Sequence, residues 1–466
     1  MLNLKEVLYV FSIPSPVSRL LTPFIALIFC VFISGNSFTQ PQYLTYEDAI
    51  RIALENNITI KQQQNNLKLS QAEKRQSTTN FLPGVGANGR GYRTDGRQWS
   101  NEESAMVNTT INRASYSIGS NLTVFNGFKN INRLKKYNQL LEAQKEKVEQ
   151  SKQDIIYLVS QQFLQILLDQ EFVLIAEKDF EVQKKLYERI EAFVKGGIRT
   201  KTELLLQEAQ LKTSEINIFS SQNQLRLDKA TLAKTLHLEP NKEFEILNPS
   251  WNVDSILNTQ YNLDSLIQSA KKNRSDIKRL NAEEKALLQG IRVSQSDYLP
   301  TISIYYNYGS DYASNNRRLN PVDSLYHKIA IEDQLLKENY SHQYGFNISI
   351  PIFNRLQTRT NVIRSKIAHE NSKLAYQDFE MQLFLDVQNA YHDFLSYKEI
   401  YLSNIIRADA SQKAYQKQFE LYLLGQGSLV DLNVENQHNI KAQSEKIQAE
   451  YMLLFQQFIL NYYIGI

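Results

Sequence analysis

The chain has 466 residues and a net charge of only +3, which excludes a general attraction for nucleic acid. A mean hydropathy of −0.41, with just 16 Gly and 10 Pro, argues against a compact enzyme and for long elements that bury little core per residue. The single cysteine, Cys30, falls in an N-terminal apolar run, so disulfides, thiol catalysis and cysteine metal sites are excluded for everything after that run.

The chain opens with Lys5 and Arg19 ahead of an apolar run over residues 20–33. About 14 apolar residues are too few to span a bilayer comfortably and right for a secretory signal. Small residues Ser34, Gly35 and Ser37 follow, so residues 1–37 are expected to be a signal peptide. Phe29 before Cys30 is too large for a lipoprotein box. Thr45 with Asp48 has capping-box spacing, and Ile50, Ala53, Leu54, Ile58 and Ile60 keep a helical period. That pattern predicts one helix to about Asn80, ended by Pro83.

The period then changes to two. Val85, Ala87, Gly89 and Gly91 alternate; residues 94–113 are polar and read as a loop; from 116 the alternation is clean. Tyr116, Ile118, Leu122 and Val124 take one face, and Ser117, Gly119, Asn121 and Thr123 the other. In the second half Ile302, Ile304, Tyr306 and Tyr308 alternate with polar residues, as do Tyr344, Phe346, Ile348 and Ile350. Four strands of about ten residues, apolar on one face, have the length and pattern of transmembrane barrel strands, and equally of a half-buried soluble sheet. Four strands cannot close a membrane-spanning barrel, and an open edge in lipid leaves backbone groups unpaired. Either the sheet is soluble or several chains contribute strands.

Between Gly127 and Gly196 there is no proline, and Leu134, Leu141, Val148 and Ile155 recur every seven residues. An unbroken helix there is roughly 105 Å long. A matching helix is expected over 355–424, and each is followed by a shorter return helix, roughly 200–237 and 428–463. Gly197 and Gly425 mark the ends of the long helices, and Thr200 with Glu203, and Ser428 with Asp431, start the return helices with capping-box spacing. Each half therefore carries a tight antiparallel helix hairpin.

The halves are copies of one another. A shift of 217 brings Ile50, Ala53, Asn56, Ile60, Leu82 and Pro83 onto Ile267, Ala270, Asn273, Ile277, Leu299 and Pro300. A shift of 228 brings Tyr116, Phe125, Asn126, Tyr187, Gly197 and Leu204 onto Tyr344, Phe353, Asn354, Tyr415, Gly425 and Leu432. A period this long is one folded unit duplicated, not a solenoid repeat. The expected organisation is a signal peptide over 1–37, a first repeat over 38–240 (helix, two strands, long helix hairpin), a linker over 241–260 and a second repeat over 261–466.

This pattern resembles the TolC family of outer-membrane efflux proteins over essentially the whole chain from Tyr43. The resemblance rests on Ala53-Leu54-Glu55-Asn56-Asn57 and its degenerate copy at 270–274, and on the Leu-Pro pair before each first strand. It rests also on Val124-Phe125-Asn126-Gly127 and Pro351-Ile352-Phe353-Asn354 at the strand-to-helix junctions, and on the hairpin from Gly425 through Gly427 and Ser428 to Leu432. The resemblance implies a mixed α/β membrane protein built as a homotrimer. In it a 12-stranded transmembrane β-barrel, four strands per chain, continues into a long periplasmic α-helical barrel. Asn121, Thr123, Asn347 and Ser349 would line the lumen, the apolar strand face would meet outer-membrane lipid, and residues 94–113 and 313–341 would lie outside the cell. It implies an outer-membrane exit duct in a Gram-negative bacterium, passive, served by a periplasmic adaptor docking at the hairpin tips (Gly197, Thr200, Gly425, Gly427, Ser428). An inner-membrane transporter of RND or ABC type would drive it, in tripartite efflux or type I secretion. The resemblance also assigns a periplasmic aperture to Asp431, Tyr422 and Glu203. Two departures are plain. Gly427 stands where the family example has an arginine, and the second acidic position falls on Val434, beside Glu435.

Three copies of one carboxylate around an axis favour cations, but Asp431 and Glu203 also stand where a helix N-terminus favours acids. Nothing in the sequence is catalytic. The six histidines lack metal-ligand spacing, no nucleotide loop or nucleophile elbow appears, and no cofactor or nucleic-acid partner is expected. The alternative reading is a structural periplasmic coiled coil without a channel.

Overall fold

The computed structural model describes residues 42–465 apart from 101–102, 240–243, 250 and 252; the signal-peptide segment and Cys30 lie outside the described residues. The chain divides into a large unit, Leu44–Lys242 with Ile246–Ile466, and a small one, Met1–Tyr43 with Glu243–Glu245. Among its described residues, the small unit contributes to the ribbon of β1 (Gln42–Leu44) and β4 (Phe244–Ile246).

The large unit begins with α1 (Tyr46–Asn56), α2 (Ile58–Thr79), β2 (Gly84–Ser100), β3 (Ala105–Asn126), α3 (Lys129–Lys195) and α4 (Lys201–Leu236). After the short α5 (Val253–Leu257) come α6 (Leu263–Asn273), α7 (Ser275–Gln295) and β5 (Thr301–Ala313). The ribbon β6 (Arg317–Leu319) and β7 (Tyr326–Lys328), the turn α8 (Ile331–Asp333), β8 (Ser341–Ser349), α9 (Gln357–Leu423) and α10 (Leu429–Ile464) complete it. A shift of 217 carries α1 onto α6 end to end, and a shift of 228 carries α3 onto α9 and α4 onto α10. At ~1.5 Å per residue α3 and α9, 67 residues each, are about 100 Å long.

The helix expected to run unbroken to Asn80 is two helices. Asn57 interrupts it because its carboxamide oxygen accepts from the amides of Thr59 (2.9 Å) and Ile60 (3.4 Å), which starts a new helix. In the second half Arg274 stands at the equivalent place. It is 6 % exposed and its Nε donates to both oxygens of Asp276, itself 2 % exposed, at 3.0 Å. Its guanidinium stacks 4.6 Å from the Tyr462 ring centroid, and the Tyr462 hydroxyl donates to Asp154 on α3 at 2.8 Å. This buried pair ties α7, α10 and α3 together. Breaking such a pair costs more than never having it.

The four-stranded sheet has the order β2-β3-β5-β8, all antiparallel. Register sorts its two faces. Leu122, Ile304 and Phe346 share a row, as do Ile118, Tyr308 and His342. On the other face Thr123, Ser303 and Asn347 share a row, and Asn121, Tyr305 and Gly345 the next. The apolar face is bare: Ile118, Ile304, Phe346 and Ile348 are all exposed.

Four strand expectations need correction. The stretch 94–113 is not a loop, for β2 and β3 pair from Gly84↔Asn121 to Ser100↔Ala105. That extension is mostly polar, and its few large apolar groups are split between its faces, Trp99 and Met106 on one and Val107 and Ile111 on the other, so neither face repeats the apolar alternation of the inner strands. A β-bulge between Thr123 and Phe125 takes Val124 out of the apolar row and puts Phe125 opposite Ile302. Ile350 lies beyond the end of β8. The strands are 17, 22, 13 and 9 residues long rather than a uniform ten.

The main core lies where α3, α6, α9 and α10 meet, around Leu164, Ala270, Val387, Phe394 and Leu453. Tyr46, Phe163, Trp251 and Phe458 pack beside it with centroids 5.3–6.3 Å apart, edge-to-face except for the tilted Tyr46–Phe458 pair.

Candidate functional site

The two hairpin tips are built alike from backbone chemistry. In the first, Ile198 N donates to Phe193 O (2.8 Å) and Gly197 N to Val194 O (3.1 Å), with Gly197 at φ +71°. In the second, Gln426 N donates to Leu421 O (2.9 Å) and Gly425 N to Tyr422 O (3.1 Å), with Gly425 at φ +75°. These are Schellman ends, which need a left-handed residue and so favour glycine. Thr200 Oγ1 then accepts from Glu203 N (3.3 Å), and Ser428 Oγ from Asp431 N (3.1 Å). Each starts its return helix by satisfying an orphan amide.

The side chains differ. Tyr422 is fully buried against Leu186, Ile190, Leu429 and Leu432. Burial pushes its phenol up, with the cation of Arg199 opposing. Arg199 reaches across from the first tip: its guanidinium lies 4.7 Å from the Tyr422 ring centroid and its Nη2 donates to Tyr422 O at 3.1 Å. Its Nε is 3.7 Å from Glu203 Oε2, and both side chains are three-quarters or more buried. Glu203 and Tyr422 are thus brought together through Arg199. Among the described residues no hydrogen bond or ion pair joins Asp431 to them. Asp431 is exposed, and its carboxylate accepts from Ser428 Oγ at 2.7 Å. Gly427 holds the place that Arg199 has in the first tip, and a Cβ there would come within 3.1 Å of Tyr422 N and Gln418 Nε2.

Sequence reasoning missed Arg199, whose signal was that the 228-residue shift sets it against Gly427. It also missed a polar seam. Continuing the seven-residue period past Ile155 gives Gln162, Asp169, Ala176, Gln183 and Ile190, so polar residues interrupt an apolar seam. Gln207 on α4 donates to Gln183 Oε1 (2.7 Å), Gln183 to Asp179 (3.2 Å) and Asn436 on α10 to Asp179 (2.9 Å), all buried. The network joins α3, α4 and α10 near the tips. Further along, Asp169 is 3 % exposed. Burial, and then the hydrogen bond shared with Asp228 of α4, push it up to about 7, while Gln165 opposes them.

Near the tips a groove of about 420 Å³ opens between α3 and α9, floored by Leu186, Tyr415 and Phe419 and rimmed by Lys185, Arg189 and Glu420. On the strands, Asn121, Thr123, Asn347 and Ser349 all fall on the polar face, Ser349 through its pairing with Thr301. Among the described residues no helix is long and apolar enough to cross a membrane, and no cluster of three metal-ligating side chains occurs.

A family model described as outer membrane efflux protein matches residues 49–236 and 266–465. Solved structures share the fold. CusC superposes with a TM-score of 0.77 at 16% identity, covering 90% of this chain and 92% of its own. The outer membrane protein VceC from Vibrio cholerae gives 0.76 at 13% identity, covering 90% and 96%. The CmeC outer membrane channel of Campylobacter jejuni gives 0.75 at 15%, covering 90% and 85%. No curated protein matches the chain in sequence.

Proposed function

The chain belongs to the outer membrane efflux protein family, and from that premise we propose that three copies form a passive exit duct through the outer membrane of a Gram-negative bacterium. The observation that carries this reading is the four-stranded sheet, with a bare apolar face and two open edges of opposite direction. β2 runs away from the helices and β8 returns to them, so β8 of one copy can pair antiparallel with β2 of the next. Closure by repetition removes every edge, as lipid requires. Twelve strands, four from each of three copies, make a barrel open enough for an aqueous lumen. Asn121, Thr123, Asn347 and Ser349 line it, and the row of Ile118, Tyr308 and His342 turns to lipid.

The helices support the same closure. On α4, Ile216 and Phe219 are exposed; on α9, Leu402 and Ile406 are exposed. Counted from Gly197 and Gly425, both pairs sit about 30 Å from their tips by helix rise. They are level, and each suits the neighbouring copy of the other. The helix hairpins then form a periplasmic barrel whose tips are the aperture. Arg199, held between Tyr422 and Glu203, fastens one hairpin to the other inside each copy. Asp431, exposed in its cap, contributes one carboxylate per copy to a ring at the mouth. The groove between α3 and α9 receives a periplasmic adaptor, and an inner-membrane transporter supplies the energy. A structural coiled coil without a channel is not favoured, since it leaves the apolar strand face in water.

Reconstitution in planar bilayers tests this reading. The expected result is a discrete, cation-preferring conductance whose preference Asp431→Asn lowers. Protein that inserts yet conducts nothing contradicts the duct, and unchanged selectivity contradicts the ring.

A further inference from the structure

We infer that the outer rim of the barrel is fastened copy to copy: the segment 331–340, just ahead of β8, seats against the far half of β2 in the next copy. This rests on the closure of the sheet by further copies proposed above.

Strand lengths pose the problem. The outer end of β8, Ser341, lies in the row of Gly309, Ser117 and Asn88. Beyond that row β2 runs on to Ser100 with only β3 beside it. Strand tilt staggers a neighbouring β2 along β8 by several residues. Its last residues still pass Ser341 with no strand to pair with, and the segment next to them is the one that leads into β8.

That segment is a built object. Gln334 is fully buried: its Oε1 accepts from Ala313 N (3.1 Å) and Asn316 Nδ2 (3.0 Å), and its Nε2 donates to Ala313 O (3.2 Å) and Ile329 O (3.0 Å). Asn339 Nδ2 donates to Asp311 O at 2.7 Å. Two side chains thus stand in for a strand along the edge of β5 where β8 has stopped. Among the described residues, the far half of β2 has no such cover from its own chain. The segment also lies on the correct face. Tyr116 hydroxyl donates to Leu335 O (3.2 Å) and Ser310 Oγ to Gln334 O (3.3 Å), and Tyr116 and Ser310 are row partners on the apolar face. By the β2–β3 register, Arg93, Arg97 and Trp99 continue that same face.

The two surfaces are complementary. On that face the far half of β2 carries Arg93 and Arg97 against Asp95, with Arg93 paired to Asp95 within the chain, while residues 331–338 carry Glu332, Asp333 and Glu338 against Lys337. Within the chain Asp333 pairs with Lys337 and Glu338 with Arg318. Glu332 and Arg97 are both exposed and have no ion-pair partner among the described residues. Ile331 and Leu336 on one side and Trp99 on the other are exposed apolar groups. A second copy of this chain satisfies all of them at once.

Cysteine pairs test the contact in a Cys30→Ser background, in isolated outer membranes under mild oxidation. Trp99→Cys with Leu336→Cys in one chain is expected to yield covalent oligomers up to a trimer on denaturing gels, and neither single variant is. Phe219→Cys with Leu402→Cys reports helix assembly independently of the rim. Helix linkage without rim linkage overturns this inference and leaves the trimer standing; linkage at neither overturns both. Arg97→Glu is expected to lower the linked fraction at the rim about threefold, the scale of one exposed ion pair, and adding Glu332→Arg to restore it. An Arg97→Glu variant that links as well as its parent counts against the charge contact.

Discussion

The two hairpin tips share one backbone and divide one task. Gly197 and Gly425 make the same left-handed turn, and Thr200 and Ser428 make the same cap. Yet the first tip supplies a cation, Arg199, and the second supplies the ring and carbonyl of Tyr422 that receive it. Duplication preserved what the turn requires and freed everything else. Differences between equivalent positions are therefore where this chain's own function is written. Gly427 makes the point: with no side chain, it approaches Tyr422 N closely, and the cation that its counterpart Arg199 provides comes from the other half.

The largest effect is expected at the helix breaks. Arg274→Ala leaves Asp276 buried without its cation and is expected to cost about 3–5 kcal/mol, read by thermal or denaturant unfolding in detergent. Asn57→Ala, at the equivalent place in the first half, removes a cap and is expected to cost about 1 kcal/mol. Equal losses would mean that the two breaks are held the same way.

A second contrast lies in the α3–α4 seam. Asp169 and Asp228 face each other there, while a shift of 228 sets the neutral Tyr397 and Gln456 at the matching places. The folded state holds a proton on Asp169 up to about pH 7, whereas an unfolded Asp releases it near 4. The folded chain therefore binds more protons between about pH 4 and 7. The stability this confers is complete below that window and is lost as pH rises through about 7. Asp169→Asn is expected to flatten melting temperature against pH across the window and to raise it at pH 8. An unchanged slope would sink the shared-proton account.

The smallest expected change in stability is that of Tyr422→Phe. The Tyr422 hydroxyl is buried with no hydrogen-bond partner among the described residues, so Tyr422→Phe is expected to leave the melting temperature within the range of a neutral change. Tyr422→Ala empties a packed site and is expected to cost about 3–5 kcal/mol. If Tyr422→Phe instead opens the conductance, the hydroxyl bonds to a neighbouring copy and closes the aperture.

Much of the fold was legible because duplication repeats the strongest signals: glycine after a long helix, a capping box, a Leu-Pro stop. What stayed hidden has physical causes. The break at Asn57 interrupts a helical period by one residue, which leaves the apolar spacing almost intact. The β2–β3 extension is mostly polar and splits its few large apolar groups, Trp99 and Met106 against Val107 and Ile111, between two faces, which blurs the alternation that marks a half-buried strand. Bulge position is set by how β3 meets β5, and neither strand alone carries that. Glu203, Tyr422 and Asp431 were legible as tip residues, but the linkage of the first two depends on Arg199, more than 200 positions from Tyr422. Gln183 and Asp169 went unread although the heptad carried them as polar breaks, and nothing in the sequence marks their partners on α4 and α10.

The central claim is that this chain completes its sheet only with copies of itself. Single-particle imaging of the protein extracted from the outer membrane in detergent tests it most directly. The account predicts a three-fold particle with a continuous twelve-stranded barrel, a hollow stalk on the order of 100 Å set by α3 and α9, and β8 of each copy paired with β2 of the next. A monomer with its sheet open, or a solid helical rod without a lumen, would contradict it.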